Sequence, residues 1–359
     1  MISIKNGVQG IWNEERSGGR HGLLRACLRL LSFPYGAAVA LRNRLYDRGI
    51  LRQEKLPRPV FSVGNLTVGG TGKTPTVIFL ANLLREKGRR PAVLSRGYGG
   101  KAKAPVNIVS DGNRILMGWR EAGDEPVLIA KAAPGVPVLT GPKRFLTGRA
   151  AVEDLGADCL ILDDAFQHRA LFRDLDIVLL DAALPFGNGF LLPRGSLREP
   201  AAALGGAHLV IRTGPEAAEP SPGETSPLPS FRGIHRPQGL VGAGTGRSLS
   251  LAELRGERVC AFAGIGRPEA FRRSLQELGA EVVAFRAFPD HHPYGRPDVE
   301  EIRRLAAAAG ADRILTTEKD GIRLAEFSDF LAEASLLRIG MEIAPAEAFA
   351  ELIFSRLAS

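Results

Sequence analysis

Residues 68–74 read Val-Gly-Gly-Thr-Gly-Lys-Thr, set between the apolar run "PVFSVGN" and an amphipathic stretch from about Thr74 to Lys87. A strand, a glycine-rich turn and a helix in that order gather backbone N–H groups and a positive helix end around one point, which suits a phosphate. Gly69, Gly70, Thr71 and Gly72 supply the small residues such a turn needs. Lys73 can reach the β and γ phosphates of a nucleotide, and the Thr74 hydroxyl can ligate Mg²⁺. Pro75 sits in the first turn, where a missing N–H costs little. The strict pattern G-x-x-x-x-G-K-[ST] would begin at position 67, where this chain has Thr67. The cradle does not depend on that position, since the later glycines shape the turn. A ligand-free strand–turn–helix is the plain alternative, and the G-K-T at the junction weighs against it.

A phosphate cradle of this kind needs a carboxylate at the end of a neighbouring strand. "DCLILDDAFQH" provides two, Asp163 and Asp164, directly after an apolar run. One can hold Mg²⁺, directly or through water, and the other can orient it. Read alone they are a pair of solvated strand-end aspartates; Lys73 and Thr74 change that reading. Asp181 in "LLDAALP" has the same setting with one carboxylate fewer.

The elements that would position these groups follow from the alternation of short apolar runs with helical patterns from Pro59 onward. This predicts an α/β fold: a P-loop NTPase-like, mostly parallel sheet core with a second, smaller α/β lobe, and the N-terminal helical segment before it is a candidate for membrane association. The expected divisions are a polar extension at 1–19, a basic amphipathic helical segment at 20–58 and the core at 59–225. A linker region at 226–256, a second lobe at 257–343 and a C-terminal helix at 344–359 complete the chain. The Pro-, Ser- and Glu-rich stretch 214–229 reads as a loop or linker.

Composition narrows the class. The chain has 359 residues, 45% hydrophobic and 24% charged, enough for two cores. Its 3 cysteines, Cys27, Cys159 and Cys260, are odd in number and far apart, which argues against a disulfide framework or zinc site. The first 20 residues lack the apolar stretch of a signal peptide. Of the net charge of +8, residues 20–58 carry nearly all, with nine basic residues against Asp47 and Glu54. The rest is nearly balanced, so no nucleic-acid-binding surface is expected. Leu23, Leu24, Cys27, Leu28 and Leu31 recur at helical spacing in that basic segment, and Pro34 is expected to split it into two helices. The uncharged run from Leu30 to Leu41 is shorter than the roughly 18 residues of a membrane span. Two readings stay open: helices lying on an anionic membrane or lining the way in for an amphiphile, or a basic-faced helix packed on the core.

Seven motifs occur in order: "VGNLTVGGTGKTP", "SRGYGG", "GDEP", "LDDAFQHR", "RGSLREP", "FPDHH" and "TTEKD". Together they resemble the tetraacyldisaccharide 4'-kinase family of lipid A biosynthesis, from about Leu23 to Lys319. In that family the first P-loop glycine is also replaced. The resemblance implies an enzyme on the cytoplasmic face of the inner membrane, peripheral or monotopic. It would move the γ-phosphate of ATP, with Mg²⁺, to the 4'-hydroxyl of a tetraacylated glucosamine disaccharide 1-phosphate. No nucleic acid and no obligate protein partner are expected. The basic, apolar N-terminal segment would then serve four acyl chains and an anionic head group.

A hydroxyl nucleophile needs a base, and the resemblance implies Asp124 of "GDEP" in that role, partnered by His291 of "FPDHH" from the second lobe. Domain closure would complete such a pair. On its own residues Asp124 reads first as a helix N-cap, and His291 as a loop histidine with His292 beside it; the resemblance reverses the reading of Asp124. Arg144, Gln167 and His168 match positions near the sugar phosphate and nucleotide phosphates, although Gln167 and His168 also read as turn residues after a strand. Arg198 and Glu199 match a further motif and stand as substrate-binding candidates that could instead contact metal or form an internal ion pair. Lys319 reads as structural or as a contact between lobes. The rival is a membrane-associated ATPase of the deviant P-loop class, used in partitioning or targeting; it would carry a lysine where this chain has Val68.

Overall fold

The computed structural model describes residues 22–214 and 228–357; the extension expected at 1–19 and most of the stretch 214–229 lie outside the described residues. In chain order the first half comprises α1 (Gly22–Asp47), β1 (Val60–Asn65), α2 (Lys73–Glu86), β2 (Pro91–Ser95), β3 (Asn107–Ser110), α3 (Trp119–Ala122), α4 (Asp124–Ala132), β4 (Val138–Thr140), α5 (Arg144–Glu153), β5 (Cys159–Asp163), β6 (Leu175–Asp181) and β7 (Leu209–Thr213). The second comprises β8 (Ser230–Gly242), β9 (Ser248–Leu249), β10 (Arg258–Ala263), α6 (Pro268–Glu277), β11 (Glu281–Ala287), α7 (Arg296–Ala308), β12 (Arg313–Thr317), α8 (Glu318–Arg323), α9 (Ser328–Glu333), β13 (Ala334–Ala344) and α10 (Ala346–Ser355).

The strands form one sheet in the order β11-β10-β12-β13-β8-β7-β6-β1-β5-β2-β4-β3, with β9 on β8. Most neighbours are parallel; β13–β8, β8–β9 and the edge pair β3–β4 are antiparallel. The central strands β1, β5 and β6 are buried at every residue, the unbroken apolar pattern of strands covered on both faces. On one face Phe61, Val63 and Ile161 pack with Val77, Leu80 and Leu84 of α2 and Ile129 of α4. On the other, Leu94, Leu160 and Leu162 pack with Ala151 of α5. In the second half, Phe271 and Leu275 of α6 join one core and Val299 and Ile302 of α7 another.

The stretch 226–256, expected as a linker, contains β8. This 13-residue strand lies parallel to β7 and antiparallel to β13, so it joins the two halves edge to edge. Its Arg, Gly and Pro content conceals it. Pro237 and Gly239 pair with Ile339 and Arg338, leaving Gln238 as the extra residue of a bulge, where a strand tolerates proline.

Pro34 does not split the N-terminal segment: α1 runs without interruption from Gly22 to Asp47. Anchors sit on either side of the proline. Ser32 Oγ lies 3.0 Å from both Leu28 O and Leu191 O, and Tyr35 Oη donates to Arg198 O at 2.8 Å. These contacts hold the turns before and after Pro34 against the 190–199 loop, offsetting the hydrogen bond that proline removes. Only Leu28 and Val39 of α1 are buried, whereas Leu23, Leu30, Leu31, Phe33 and Leu41 are all more than half exposed. The helix is long and apolar enough to cross a membrane by length and composition.

Candidate active site

The cradle is built where β1 ends and α2 begins. Gly72 caps α2 at φ 89°, and a Cβ there would lie 2.6 Å from His235 Nε2, so only glycine combines this turn with that neighbour. Thr71 is fixed from two sides: its Oγ1 accepts from Asn65 Nδ2 at 2.9 Å, and its carbonyl accepts from Thr213 Oγ1 at 2.9 Å. Thr67 forms an antiparallel bridge with Leu197, flanked by Val68 N–H to Ser196 O at 2.7 Å and Arg198 N–H to Leu66 O at 2.8 Å. That extended bridge suits a β-branched residue, which is why threonine stands where the strict motif has glycine. Lys73 Nζ reaches Asn65 Oδ1 (3.2 Å), Gly69 O (3.5 Å) and Asp164 Oδ1 (3.7 Å).

Asp163 closes β5, and Asp164 follows at φ 48°. The Arg198 guanidinium forks onto Asp164, with Nη1 to Oδ2 at 3.1 Å and Nη2 to Oδ1 at 2.8 Å, and also donates to Asn65 Oδ1. Burial works against the Asp164 carboxylate, but Lys73 and Arg198 outweigh it and hold its pKa below the ordinary value. Asp163 differs. Its Oδ2 accepts from Ser95 Oγ at 3.1 Å, while Oδ1 is buried without a partner. Burial, with the Glu125 and Asp164 charges, pushes its pKa up to about 7. A buried carboxylate oxygen with no hydrogen-bond partner, whose pKa is raised in spite of the Lys73 charge, fits a cation. Thr74, Asp163 and Asp164 line one cavity. No group of three or more His, Cys, Asp or Glu with metal-binding geometry exists among the described residues. A divalent ion here would therefore use these few protein ligands plus phosphate oxygens and water, as Mg²⁺ does.

Facing this pair across the same cavity is a contact between the two halves of the sheet. His291 Nδ1 lies 2.9 Å from Asp124 Oδ2 and 3.1 Å from Oδ1. Asp124 is the first residue of α4 and not its cap; the cap is Gly123, and Asp124 Oδ1 accepts from Glu125 N–H at 3.0 Å. His291 sits at φ 59°, a region histidine visits more than most residues, with its N–H on Gly264 O at 3.2 Å. Burial opposes the Asp124 charge, yet the His291 hydrogen bond, Lys319 and Arg323 together keep its pKa below the usual value. The pair is formed in this structure without further closure. His292 is occupied elsewhere: Nε2 bonds Asp298 Oδ2 at 3.1 Å and the ring stacks on Phe288.

The cavity, about 1800 Å³, runs from α1 past the cradle to the second half, and its wall includes Arg144, Gln167, His168 and Arg198. Arg144 is buried with Nη1 on Gly141 O at 3.1 Å and Nε unpartnered, and burial pushes its pKa down to about 10. Gln167 Nε2 donates to Asn65 O at 3.0 Å. Burial, helped by Arg144 and Arg173, pushes His168 down to about 4. Glu199 stands apart from these. It is buried beneath α1, paired with Arg42 and within 3.4 Å of Asn43 Nδ2, so its local role is to hold the helix. Arg42, Asn65 and Lys319 are part of the site and were not expected there. Asn65 follows directly from the strand end; Arg42 and Lys319 arrive from distant segments.

A family model described as tetraacyldisaccharide-1-P 4'-kinase (LpxK) matches residues 24–358. The tetraacyldisaccharide 4'-kinase of Syntrophus aciditrophicus (strain SB) is 51% identical over 371 residues, covering 99% of this chain and 99% of that protein. That of Anaeromyxobacter dehalogenans (strain 2CP-C) is 48% identical over 330 residues, covering 89% and 86%. Among solved structures, LpxK from Aquifex aeolicus in complex with ATP superposes with a TM-score of 0.79 at 37% identity, covering 93% of this chain and 99% of that one.

Proposed function

The chain belongs to the tetraacyldisaccharide-1-P 4'-kinase family, and on that premise we propose that the Asp124–His291 pair is the general base of its reaction. The enzyme transfers the γ-phosphoryl group of ATP to the 4'-hydroxyl of a tetraacylated glucosamine disaccharide 1-phosphate, a step of lipid A biosynthesis, using ATP with Mg²⁺. The observation that carries the base assignment is the 2.9 Å contact between Asp124 and His291, on a cavity shared with the cradle and Asp163–Asp164.

His291 is the member that lines the cavity, with its side chain 33% exposed against 5% for Asp124. In this reading Asp124 holds Nδ1–H, and the hydroxyl proton leaves toward the His291 side as the oxygen bonds to the γ-phosphorus and ADP departs. This refines the expectation that Asp124 itself takes the proton, because a carboxylate so buried and so fully bonded does not reach a hydroxyl. Gly69, Gly70, Thr71 and Gly72 present backbone N–H groups to the phosphates, with Lys73 and Arg198 supplying positive charge. Thr74, Asp163 and Asp164 would hold Mg²⁺, which when bound neutralises phosphate charge in the transition state. Arg144 and His168 face the sugar-phosphate region, with Gln167 beside them.

The exposed apolar residues of α1, interspersed with Arg25 and Arg29, support a helix lying on an anionic membrane with the acyl chains alongside it. This reading extends to the cytoplasmic face of the inner membrane, peripheral or monotopic, with no obligate protein partner. The test is phosphate transfer from γ-labelled ATP to tetraacyldisaccharide 1-phosphate in detergent micelles. Wild type should give the 1,4'-bisphosphate, and His291→Ala should lose about two decades or more in kcat with little change in KM for ATP. Undiminished turnover in His291→Ala would return this histidine to a loop role.

A further inference from the structure

The last of the seven motifs, "TTEKD", opens α8, which is held from below with unusual completeness. Asp320, fully buried, accepts from Thr317 Oγ1 (2.5 Å), Tyr294 Oη (2.7 Å), Gly264 N–H (3.0 Å) and Arg323 Nη2 (2.5 Å). Thr317 caps the helix in return, taking Asp320 N–H at 3.1 Å. A short helix pinned this way has little freedom, so the side chains it projects are fixed in direction. Two of them, one turn apart, reach the Asp124–His291 pair from opposite ends. Lys319 Nζ stands 3.4 Å from His291 Nε2, and Arg323 Nε stands 3.6 Å from Asp124 Oδ2.

We propose, building on the assignment of Asp124 and His291 as the base, that Lys319 is a positioning residue that sets the tautomer of His291. An ammonium can only donate, so Nε2 facing Lys319 must carry a lone pair and the imidazole proton must sit on Nδ1, against Asp124. The chain Lys319–His291–Asp124 then has one direction of donation, ending on a carboxylate that Arg323 keeps charged from the inside. The lone pair a base requires is thereby left on the cavity side, and an arriving hydroxyl takes the place of the long Lys319 contact.

The surrounding charges allow this arrangement. Lys319 also bonds Glu125 Oε1 at 3.1 Å and lies 3.6 Å from Asp290 Oδ1. Burial works against its ammonium, but Glu125, Asp124 and Asp290 outweigh that and hold its pKa above the ordinary value. His291 Nδ1 meets Asp124, while Nε2 meets Lys319 at 3.4 Å and lies 3.7 Å from Asp290 Oδ2, beyond hydrogen-bond reach; the Tyr98 and His291 rings pack edge to face. Removing the lysine cation therefore leaves Asp124, Asp290 and Glu125 facing the imidazole, which favours imidazolium and disables the base at lower pH.

The experiment is the kcat–pH profile of the full-length enzyme in lipid micelles for wild type, Lys319→Met, Lys319→Arg and Asp124→Ala. The expected result for Lys319→Met is an acid limb moved to higher pH by about one unit, hence about tenfold lower kcat below the limb. KM for ATP should stay near wild type, and Lys319→Arg should restore most of the limb. In a His291→Ala background, Lys319→Met should have little further effect. A uniform loss across pH, or a wild-type limb in Lys319→Met while Asp124→Ala is inactive, overturns the role of Lys319 and leaves the pair intact. Full activity in Asp124→Ala overturns the base assignment itself.

Discussion

Replacing Asp124 by asparagine removes charge from the proposed catalytic pair while keeping its shape. The new amide oxygen can still accept from His291 Nδ1, 2.9 Å from the present Oδ2, so the imidazole keeps its place. What is lost is the anion that stabilises a protonated His291, and with it most of the base's contribution, which is worth roughly 10²–10⁴ in rate. We expect kcat to fall about 10²- to 10³-fold with KM for ATP changed about twofold or less. Stability should fall as well. Asp124 is 5% exposed and stands 3.6 Å from the buried Arg323. Breaking a buried pair costs about 3–5 kcal/mol, but Arg323 keeps Asp320 at 2.5 Å, so we expect about 2 kcal/mol in urea unfolding. The pH dependence has a definite sign. A carboxylate whose folded pKa lies below its unfolded value stabilises above that value and loses the contribution as pH falls through the folded pKa. The gap in stability between wild type and Asp124→Asn should therefore narrow below about pH 4. The assay is labelled-phosphate transfer in micelles, paired with urea unfolding. A folded Asp124→Asn enzyme within about threefold of wild-type kcat would refute the reasoning.

Gly72→Ala places a Cβ 2.6 Å from His235 Nε2 at a positive φ that itself costs roughly 1–2 kcal/mol, so ATP affinity should fall about tenfold or more by calorimetry. Asp163→Asn should raise the Mg²⁺ concentration for half-maximal activity about 10- to 100-fold; an unchanged Mg²⁺ curve would remove Asp163 from the metal site. His168 stays neutral in the folded protein down to about pH 4, whereas the unfolded chain protonates it near its ordinary value of 6.5. Stability should thus drop as pH falls through that window, and His168→Gln should flatten the slope in a pH series of urea midpoints. Leu30→Ser combined with Phe33→Ser removes two exposed apolar side chains from α1. At roughly 1.5–3 kcal/mol each if fully inserted, vesicle partitioning should weaken about tenfold or more, with ATP binding unaffected.

The parts of this enzyme that are contiguous in the chain were legible in it. The cradle from Gly69 to Thr74, the Asp163–Asp164 strand end and the buried strands β1, β5 and β6 each follow from a local pattern: a turn that needs glycine, a helix N-terminus, an apolar run covered on both faces. Several features depend on neighbours far away in sequence and were not legible from composition or spacing. Helix α1 continues through Pro34 because Ser32 and Tyr35 are tied to the 190–199 loop. Strand β8 is a strand because β7 and β13 lie on either side of it. Glu199 pairs with Arg42 of α1 behind the cavity wall that Arg42 and Arg198 line. Motif resemblance could pair Asp124 with His291, 167 residues apart, but not say which of them faces the cavity, nor that Lys319 and Arg323 complete the group. Those relations are set when β8 and β13 join the two halves of the sheet and bring α4, the His291 loop and α8 to one wall. Local propensity follows from a few bonds along the backbone; the juxtaposition of charges follows from the order in which the strands pair.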